Sequence, residues 1–229
     1  MLTSGPPVTI GMPIRNCAGT VARAIRSILR QTHANWELLI YDDGSTDGTL
    51  DVARSFDDPR IRVLSDGTSK RIAVRLNEMI ALGGGDYFAR LDGDDVAYPE
   101  RLARQVAYLR DHPGVDLVGC SAICFWGDGE AYGALRHPES HAGICADLAG
   151  GFASIHPAWL GRMAWFRRNQ YDTRLPVAQD YELLLRSHRT SCFANVPEIL
   201  LGYCAPPVRL GDYLPRRWRQ TESLVADLL

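Results

Sequence analysis

The pattern of apolar and polar positions in the first hundred residues predicts strands separated by helices. Four apolar runs are short enough for buried strands, at residues 8–14, 36–41, 61–64 and 86–91. Apolar residues recur at helical spacing between these runs, around residues 21–29, 50–55 and 72–80. Strands that alternate with helices pair in parallel through right-handed crossovers. We therefore expect an α/β fold with a mostly parallel central sheet flanked by helices.

The second half of the chain predicts a smaller mixed region. Leu102, Val106 and Leu109 mark a helix after Pro99, and the segment Phe125–Gly129 suggests a hairpin turn. The other predicted elements are strands at 115–120, 193–196 and 199–203 and helices at 138–148 and 178–188. We expect one domain over residues 1–229, with a parallel half at about 1–100, a mixed half at about 101–204 and a tail at 205–229.

Polar residues follow the predicted parallel strands. In such sheets, ligands bind beyond the carboxyl ends of the strands. The sheet should therefore collect the following side chains at one rim: Asn16, Asp42, Asp43, Asp66, Asp92, Asp94 and Asp95. Gathering so many carboxylates costs free energy unless a cation or hydrogen-bond donors offset their charge. The rim is therefore the predicted site of function.

The segment Asp92-Gly93-Asp94-Asp95 is the strongest candidate for a metal site. Two carboxylates one residue apart at a strand end can face the same side and hold Mg²⁺ or Mn²⁺ together with substrate phosphates. Asp and Gly are also common turn residues, so a simple turn is the alternative. The position after an apolar strand, opposite other acidic strand ends, favours the metal site.

The segment from Asp42 to Gly48 has two interpretations. It lacks the residue spacing of a calcium loop, so its carboxylates either accept hydrogen bonds from a nucleoside or form a capped turn. In the second case Ser45 or Thr46 would cap the next helix. The chain contains neither a dinucleotide-binding glycine motif nor the phosphate loop of ATPases, and no G-x-S-x-G esterase motif.

Composition narrows the class of protein. Apolar residues make up 46% and charged residues 23%, which argues against wholesale disorder, and a net charge of −2 argues against a nucleic-acid partner. No signal peptide or membrane-spanning run is evident. The six cysteines include Cys120 and Cys124 in an apolar stretch, and we interpret them as small packing residues. These features predict a cytoplasmic protein.

Four ordered segments resemble family 2 glycosyltransferases of the GT-A fold, which has a Rossmann-like sheet. Residues 8–16 and 36–49 resemble the family's opening, and residues 86–102 resemble its metal-binding segment and following helix. Ser154–Pro157 and Gln179–Leu183 resemble two later segments, so the similarity covers about residues 8–204. The resemblance implies inverting transfer of a sugar from a nucleotide-diphosphate donor, most commonly a UDP-sugar, to an acceptor hydroxyl in polysaccharide or glycoconjugate synthesis.

The resemblance also assigns roles: residues 1–100 would form the nucleotide-sugar-binding half and residues 101–204 the acceptor and catalytic half. Pro13, Arg15 and Asn16 would line the nucleotide pocket, and Asp43, with Asp42 beside it, would meet the base. Further members of the donor site would be Asp66, Lys70, Arg71 and Asp92. Asp94 would be the main ligand of Mn²⁺ or Mg²⁺, joined by Asp92 and by His156, which the family often brings towards the diphosphate.

Asp180 matches the family's catalytic base, which takes the proton of the acceptor hydroxyl. It could instead only cap a helix. The family commonly has Glu before this Asp, where the chain has Gln179. A nucleotidyltransferase that makes sugar nucleotides, or a non-catalytic nucleotide-sugar-binding subunit, are the alternative functions.

A carbohydrate or lipid-linked acceptor is the expected second substrate. The basic aromatic cluster of Arg162, Trp165, Phe166, Arg167 and Arg168 could meet such a lipid or the inner face of a membrane, and the tail around Trp218 adds weakly to that idea. A homo-oligomer is also possible, since acceptor recognition could require a partner subunit.

Overall fold

The computed structural model describes residues 5–127, 129–148 and 150–206. The strands are β1 (Val8–Ile14), β2 (Trp36–Asp42), β3 (Ile61–Ser65), β4 (Tyr87–Arg90), β5 (Val96–Ala97), β6 (Leu117–Trp126), β7 (Glu130–Leu135), β8 (Leu160–Arg162) and β9 (Phe193–Cys204). The helices are α1 (Val21–Leu29), α2 (Thr49–Arg54), α3 (Ile72–Leu82), α4 (Arg101–Asp111), α5 (His141–Ile144), α6 (Met163–Arg168) and α7 (Gln179–Ser187), with a 3₁₀ turn at His156–Ala158.

All of these strands belong to one sheet. Their order is β3-β2-β1-β4-β8-β6-β9-β5, and β7 extends the sheet from β6 as a hairpin. Strands β1 to β4 pair in parallel, as the alternation of strands and helices predicted. Strand β8 runs antiparallel to both β4 and β6, so the second half of the sheet is mixed. The carboxyl ends of β1 to β4 therefore meet at one rim.

Apolar side chains bury both faces of the sheet. One cluster packs β1 and β2 against α1 and includes Val8, Ile10 and Ile25. The other packs α3 and α6 against the opposite face and includes Phe88 and Trp159. Parallel strands covered on both faces read as continuous apolar runs rather than alternating ones, which explains why they could be recognised from sequence.

Three predicted elements differ from the structure. The helix predicted at 138–148 is confined to α5, and Gly143 within it lies against Pro138, where an added Cβ would approach the ring to 2.6 Å. The two strands predicted around Pro197 form one strand, β9, because its pairing with β6 shifts register past Pro197. Proline has no backbone N–H to donate to a sheet, so the irregular register accommodates it.

The two aromatic residues of the basic aromatic cluster are buried and do not lie on the surface that the sequence suggests, whereas contact of the chain with a membrane stays a prediction. Trp165 and Phe166 lie on α6 with exposed fractions of 1% and 0%, and Phe88 packs on Phe166 with ring centroids 5.1 Å apart. Arg162 donates to the carbonyls of Leu109 and Val115. The aromatic rings are therefore core, and the guanidinium of Arg162 joins backbone carbonyls. The tail residues that were expected to assist, around Trp218, lie outside the described residues.

Within residues 5–127, 129–148 and 150–206, every helix is too short or too polar to cross a bilayer. Cys120 and Cys124 are buried on β6, which agrees with a packing role. Burial raises the pKa of the Cys120 thiol to about 11, so the thiol is protonated and unreactive near neutral pH.

Candidate active site

The turn after β1 is tied to the turn after β2. Asn16 has a backbone φ of 49°, a left-handed conformation that Asn tolerates better than most residues. Its N–H donates to Ser45 Oγ (3.0 Å), and its Oδ1 accepts from the N–H of Thr46 (2.8 Å). The N–H of Cys17 donates to Thr49 Oγ1 (2.7 Å). These bonds fix residues 15–17 beside the end of β2.

Asp42 organises the turn after β2. Its buried carboxylate accepts from the N–H and the hydroxyl of Ser45 and from the hydroxyl of Ser65 (3.2 Å). Ser45 therefore bonds to Asp42 and does not cap α2, whose preceding residue is Gly48. Both oxygens of Asp42 therefore accept hydrogen bonds, from Ser45 in the turn after β2 and from Ser65 at the end of β3.

Asp43 holds the loop after β3. Its carboxylate accepts from the N–H of Lys70 (2.7 Å), the N–H of Arg71 (3.3 Å), the hydroxyl of Ser69 (3.0 Å) and Arg75 Nε (2.8 Å). Burial alone would raise the pKa of Asp43, but these donors outweigh it and lower the pKa below the usual range. Arg71 has a left-handed φ of 74°, so the loop is held in a conformation that a free chain would avoid.

Arg75 is the buried cation of this half of the site. Its fully buried guanidinium pairs with Asp43, with Asp66 (2.8 Å) and with Glu78 (2.9 Å). It also lies over the ring of Tyr41, 4.3 Å from the ring centroid. Three carboxylates can gather here because one guanidinium offers several donors in fixed directions.

Arg15 joins the two turns across the rim. Its Nη1 donates to Ser69 Oγ (2.8 Å), and Ser69 in turn donates to Asp43. Arg15 therefore connects the turn after β1 with the loop that Asp43 holds.

The three carboxylates after β4 form one group. Asp92, Asp94 and Asp95 each place an oxygen within 4.8 Å of the others. Asp95 is buried; one of its oxygens accepts from the N–H of Cys204 (2.7 Å), and the other has no hydrogen-bond partner among the described residues. Burial, together with the charge of Asp92, raises the pKa of Asp95 to about 8 and also raises the pKa of Asp94.

These carboxylates suit a hard divalent cation. Oxygen ligands at a strand end are those that Mg²⁺ and Mn²⁺ take. An unpartnered buried carboxylate oxygen costs free energy that a cation would offset. The segment also makes a turn, since the N–H of Asp95 donates to the carbonyl of Asp92 (3.3 Å), so the two interpretations of this motif are compatible.

The acidic group opens onto a cleft of about 680 Å³. Five of the predicted site residues line it: Pro13, Arg15, Asn16, Asp92 and Asp94. The rest of the lining comes from Ile14, residues 17–20, Asp47, Gly93, Trp126, Gly127 and Cys204. The other predicted site residues lie outside this lining: Asp42, Asp43, Asp66, Lys70, Arg71, His156 and Asp180.

Arg90 is the buried cation beside the acidic group. Its side chain is 4% exposed and forms an ion pair with Asp92. Burial would lower the pKa of Arg90, but the charges of Asp92, Asp95 and Asp180 outweigh it and raise the pKa. Asp180 lies in the first turn of α7. The charge of Arg90 therefore interacts with the carboxylates of the acidic group and with that of Asp180, the predicted base.

His156 and Tyr171 lie beside Arg90. His156 Nε2 and Tyr171 Oη are 2.8 Å apart and both residues are buried. Burial, followed by the charge of Arg90, lowers the pKa of His156 well below its usual value, so the imidazole is neutral. Burial raises the pKa of Tyr171, which keeps its hydroxyl protonated. His156 lies outside the group formed by Asp92, Asp94 and Asp95, so its assignment as a metal ligand stays a prediction.

Comparison with known proteins decides the family. The model of glycosyl transferase family 2 matches residues 9–174, which include the acidic group and most of the cleft. The chain belongs to glycosyltransferase family 2. EpsE from Bacillus subtilis (strain 168) is 44% identical over 127 residues, covering 54% of this chain and 46% of EpsE. An uncharacterized glycosyltransferase from Haemophilus influenzae is 28% identical over 214 residues, covering 86% of this chain and 65% of that protein. The chain thus spans about half to two thirds of these relatives.

Solved structures show that the fold is GT-A. A mannosyltransferase from Pyrobaculum calidifontis, in complex with GDP-Man and Mn²⁺, has a TM-score of 0.73 at 18% identity, over 99% of this chain and 65% of that one. TarS from S. aureus, in complex with UDP-GlcNAc, has a TM-score of 0.73 at 15% identity, over 89% of this chain and 60% of that one. The expected fold class and family are thereby confirmed.

Sequence reasoning missed four residues of this family 2 site. Arg75, Arg90 and Tyr171 are buried polar residues, and Arg75 and Tyr171 meet Asp43 and His156, which are distant in sequence. At Trp126 the sequence indicates only a hairpin turn. Arg90 had one usable signal, because a cation at the end of an apolar strand needs a nearby anion. Tyr171 had none, because its partner His156 comes from a separate 3₁₀ turn.

Proposed function

We propose that the chain transfers a sugar, with inversion, from a nucleotide-diphosphate donor to an acceptor hydroxyl in polysaccharide or glycoconjugate synthesis, with the help of Mn²⁺ or Mg²⁺. The observation that carries the proposal is the cleft in which Asp92 and Asp94 face the turn of Pro13, Arg15 and Asn16. Anionic oxygens on one wall and a guanidinium on the other suit a cation bound to a diphosphate.

Asp94 and Asp92 would hold the divalent ion. Asp94 is the less engaged of the two, because Asp92 already pairs with Arg90. A bound divalent ion supplies electrostatic stabilisation of the negative charge that develops on the departing nucleoside diphosphate. His156 could contribute only through Nδ1, since Nε2 faces Tyr171; Nε2 must then carry the proton and donate to Tyr171.

The donor nucleoside would lie against the turn of Pro13, Arg15 and Asn16 and the loop held by Asp43. Every oxygen of Asp43 already accepts hydrogen bonds, so we assign its contribution chiefly to shaping residues 69–71, including Arg71. Asp42 would act in the same way through Ser45. Backbone N–H and C=O groups of these loops would then form the hydrogen bonds to the nucleotide base.

Asp180 would act as the general base. The acceptor oxygen attacks the anomeric carbon from the face opposite the diphosphate, and the bond from that carbon to the phosphate oxygen breaks. The nucleoside diphosphate leaves with the electron pair, and the proton of the acceptor hydroxyl passes to the Asp180 carboxylate. Attack from the opposite face inverts the anomeric carbon.

The names of similar proteins suggest the substrates to test first. A relative from Escherichia coli named UDP-Glc:alpha-D-GlcNAc-diphosphoundecaprenol beta-1,3-glucosyltransferase WfgD is 37% identical over 102 residues, covering 44% of this chain and 40% of WfgD. We therefore propose a UDP-sugar as donor and a carbohydrate or lipid-linked glycoside as acceptor. Peripheral contact with the membrane would follow from a lipid-linked acceptor.

Donor turnover tests the proposed function. UDP-glucose, UDP-N-acetylglucosamine and GDP-mannose would each be incubated with the protein, with Mn²⁺, with Mg²⁺ and with EDTA, and nucleoside diphosphate release would be measured. We expect release from at least one donor, and only with a divalent ion. Pyrophosphate production from a nucleoside triphosphate and a sugar phosphate would favour the nucleotidyltransferase alternative, whereas donor binding without turnover would favour a non-catalytic subunit.

A further inference from the structure

Trp126 is far more exposed than the other tryptophans of the residues that the structure describes. It is the last residue of β6, its exposed fraction is 51%, and its side chain lines the cleft that Asp92 and Asp94 also line. The exposed fractions of Trp36, Trp159 and Trp165 are 4% or less. An indole in water leaves a large apolar area uncovered, so a ligand that covers it would gain free energy.

Backbone hydrogen bonds hold the strand end that carries Trp126. The carbonyl of Trp126 accepts from the N–H of Gly129 (3.3 Å), and the carbonyl of Phe125 accepts from the N–H of Ala205 (3.1 Å). Phe125 is buried, and the guanidinium of Arg23 lies 4.7 Å from its ring centroid. Trp126 is therefore presented from a fixed strand end, so a ligand need not order this part of the backbone when it binds.

Arg23 joins the segment of the acidic group to the strand that carries Trp126. Its Nη2 donates to the carbonyl of Asp94 (3.3 Å), while its guanidinium covers the ring of Phe125. One side chain thus joins the segment that carries Asp94 to the strand that carries Trp126. Trp126 and the carboxylates of Asp92 and Asp94 line the same cleft.

We propose that Trp126 is a stacking platform for the pyranose ring of a sugar, either the one transferred or the one that accepts it. A pyranose has an apolar C–H face that can cover an indole, and its hydroxyls can donate to neighbouring carboxylates such as Asp92 and Asp94. A nucleotide phosphate does not match the uncharged indole in this way. The inference deepens the proposed function and rests on it.

The test follows Trp126 directly by NMR of the indole N–H groups. The chain has five tryptophans, and the peak that Trp126→Phe lacks identifies Trp126. In the first arm the parental protein with diamagnetic Mg²⁺ is titrated with UDP and then with UDP-glucose or UDP-N-acetylglucosamine. In the second arm the protein with Mg²⁺ and UDP is titrated with methyl glycosides of glucose, galactose, mannose and N-acetylglucosamine.

We expect the Trp126 peak to shift in the first arm if the platform holds the transferred sugar, and in the second arm if it holds the acceptor. In whichever arm the peak shifts, Trp126→Ala should weaken binding of that arm's sugar ligand about two- to tenfold, which is the range expected for loss of an aromatic contact. Trp126→Phe should restore part of the affinity. Leu82→Ala, which truncates an exposed apolar residue outside the cleft lining (exposed fraction 47%), should change neither arm.

Three results would overturn the platform. These are an unmoved Trp126 peak in both arms, unchanged affinities of Trp126→Ala in both arms, or an equal loss of affinity for UDP alone, which would place the indole against the nucleotide. Binding of UDP and of GDP by the parental protein with a divalent ion is measured first. Absence of both would overturn the proposed function, and the platform with it, whereas nucleotide binding without any effect of Trp126→Ala would overturn only the platform.

Discussion

Arg90 and Asp92 form an ion pair at the end of β4, where the arginine side chain is 4% exposed and the aspartate side chain 28%. Asp92 opens to the cleft, whereas Arg90 lies behind it. Arg90 Nε has no hydrogen-bond partner among the described residues. The attraction between the Arg90 charge and the nearby carboxylates therefore stabilises Arg90 in addition to its hydrogen bond with Asp92. The guanidinium offsets carboxylates that would otherwise repel one another.

Replacing Arg90 should therefore destabilise the protein and increase its need for a cation. We expect Arg90→Met to lower the free energy of unfolding by about 1.5–3 kcal/mol, the range for a hydrogen bond to a charged group. Mn²⁺ should raise the melting temperature of this variant more than that of the parent. Urea unfolding and thermal melts would measure both effects. Arg110→Met is the control, because the Arg110 side chain is 70% exposed; equal behaviour of the two variants would contradict the assignment.

Asp94 should carry the metal dependence of nucleotide binding. In Asp94→Asn the affinity for UDP in the presence of Mn²⁺ should fall at least about 10–100-fold, the loss typical when only a supporting partner of a metal ligand is removed. Affinity for UDP in EDTA should not change. Titration calorimetry would measure both. Asp111→Asn, at a side chain that is 62% exposed, is the matched control; unchanged Mn²⁺ dependence in Asp94→Asn would contradict the assignment.

Stability and metal binding should depend on pH through Asp95. Its folded pKa of about 8 lies above the ordinary value of 3.8, so the unfolded chain ionises first. Ionisation therefore lowers the stability of the metal-free protein as pH rises from about 4 to about 8. A cation offsets this charge, so the rise in melting temperature caused by Mn²⁺ should be larger at pH 8 than at pH 6. Asp95→Asn should reduce the difference, and an equal rise at both pH values would contradict the prediction.

The parallel half of the fold could be predicted because its signals are local. Continuous apolar runs mark β1 to β4, and the polar residues that follow them collect at one rim because parallel strands end on the same side. The mixed half is harder. Strand β8 has three residues and β5 has two, too few for any apolar pattern to be recognised. The basic neighbours of Trp165 and Phe166 suggested a surface, although contact with Phe88 and β8 buries the rings.

The sequence predicts which residues lie at the candidate site better than it predicts their hydrogen-bond partners. The positions of Asp92 and Asp94 followed from the strand that precedes them. The engagement of Asp43 did not, because its donors come from residues 69–71 and from Arg75 on the next helix. Contacts of that kind depend on how a loop folds back over a strand end, and no spacing in the sequence encodes it.

Arg75 should stabilise the folded protein through its ion pair with Asp43. Arg75→Met leaves Asp43 nearly buried without its cation, so we expect the free energy of unfolding to fall by about 3 kcal/mol. The lowered pKa of Asp43 means that this contribution is present above its ordinary pKa of 3.8 and is lost as pH falls below it. The difference between parent and variant should therefore shrink in acid. Urea unfolding at neutral and acidic pH measures it, with exposed Arg54→Met as control; a difference that grows in acid would contradict the prediction.

The proton transfer assigned to Asp180 separates binding from chemistry. Asp180→Asn keeps the size of the side chain but removes its basicity, so transfer should slow by about 10²–10⁴-fold, the usual contribution of a general base. Binding of UDP with Mn²⁺ should stay within about twofold of the parent, because Asp180 lies outside the cleft lining. Glu182→Gln is the matched control: it removes a charge from the same turn of α7, where Glu182 pairs with Arg186 at 2.7 Å. Transfer by Asp180→Asn at the rate of Glu182→Gln would show that another group takes the proton.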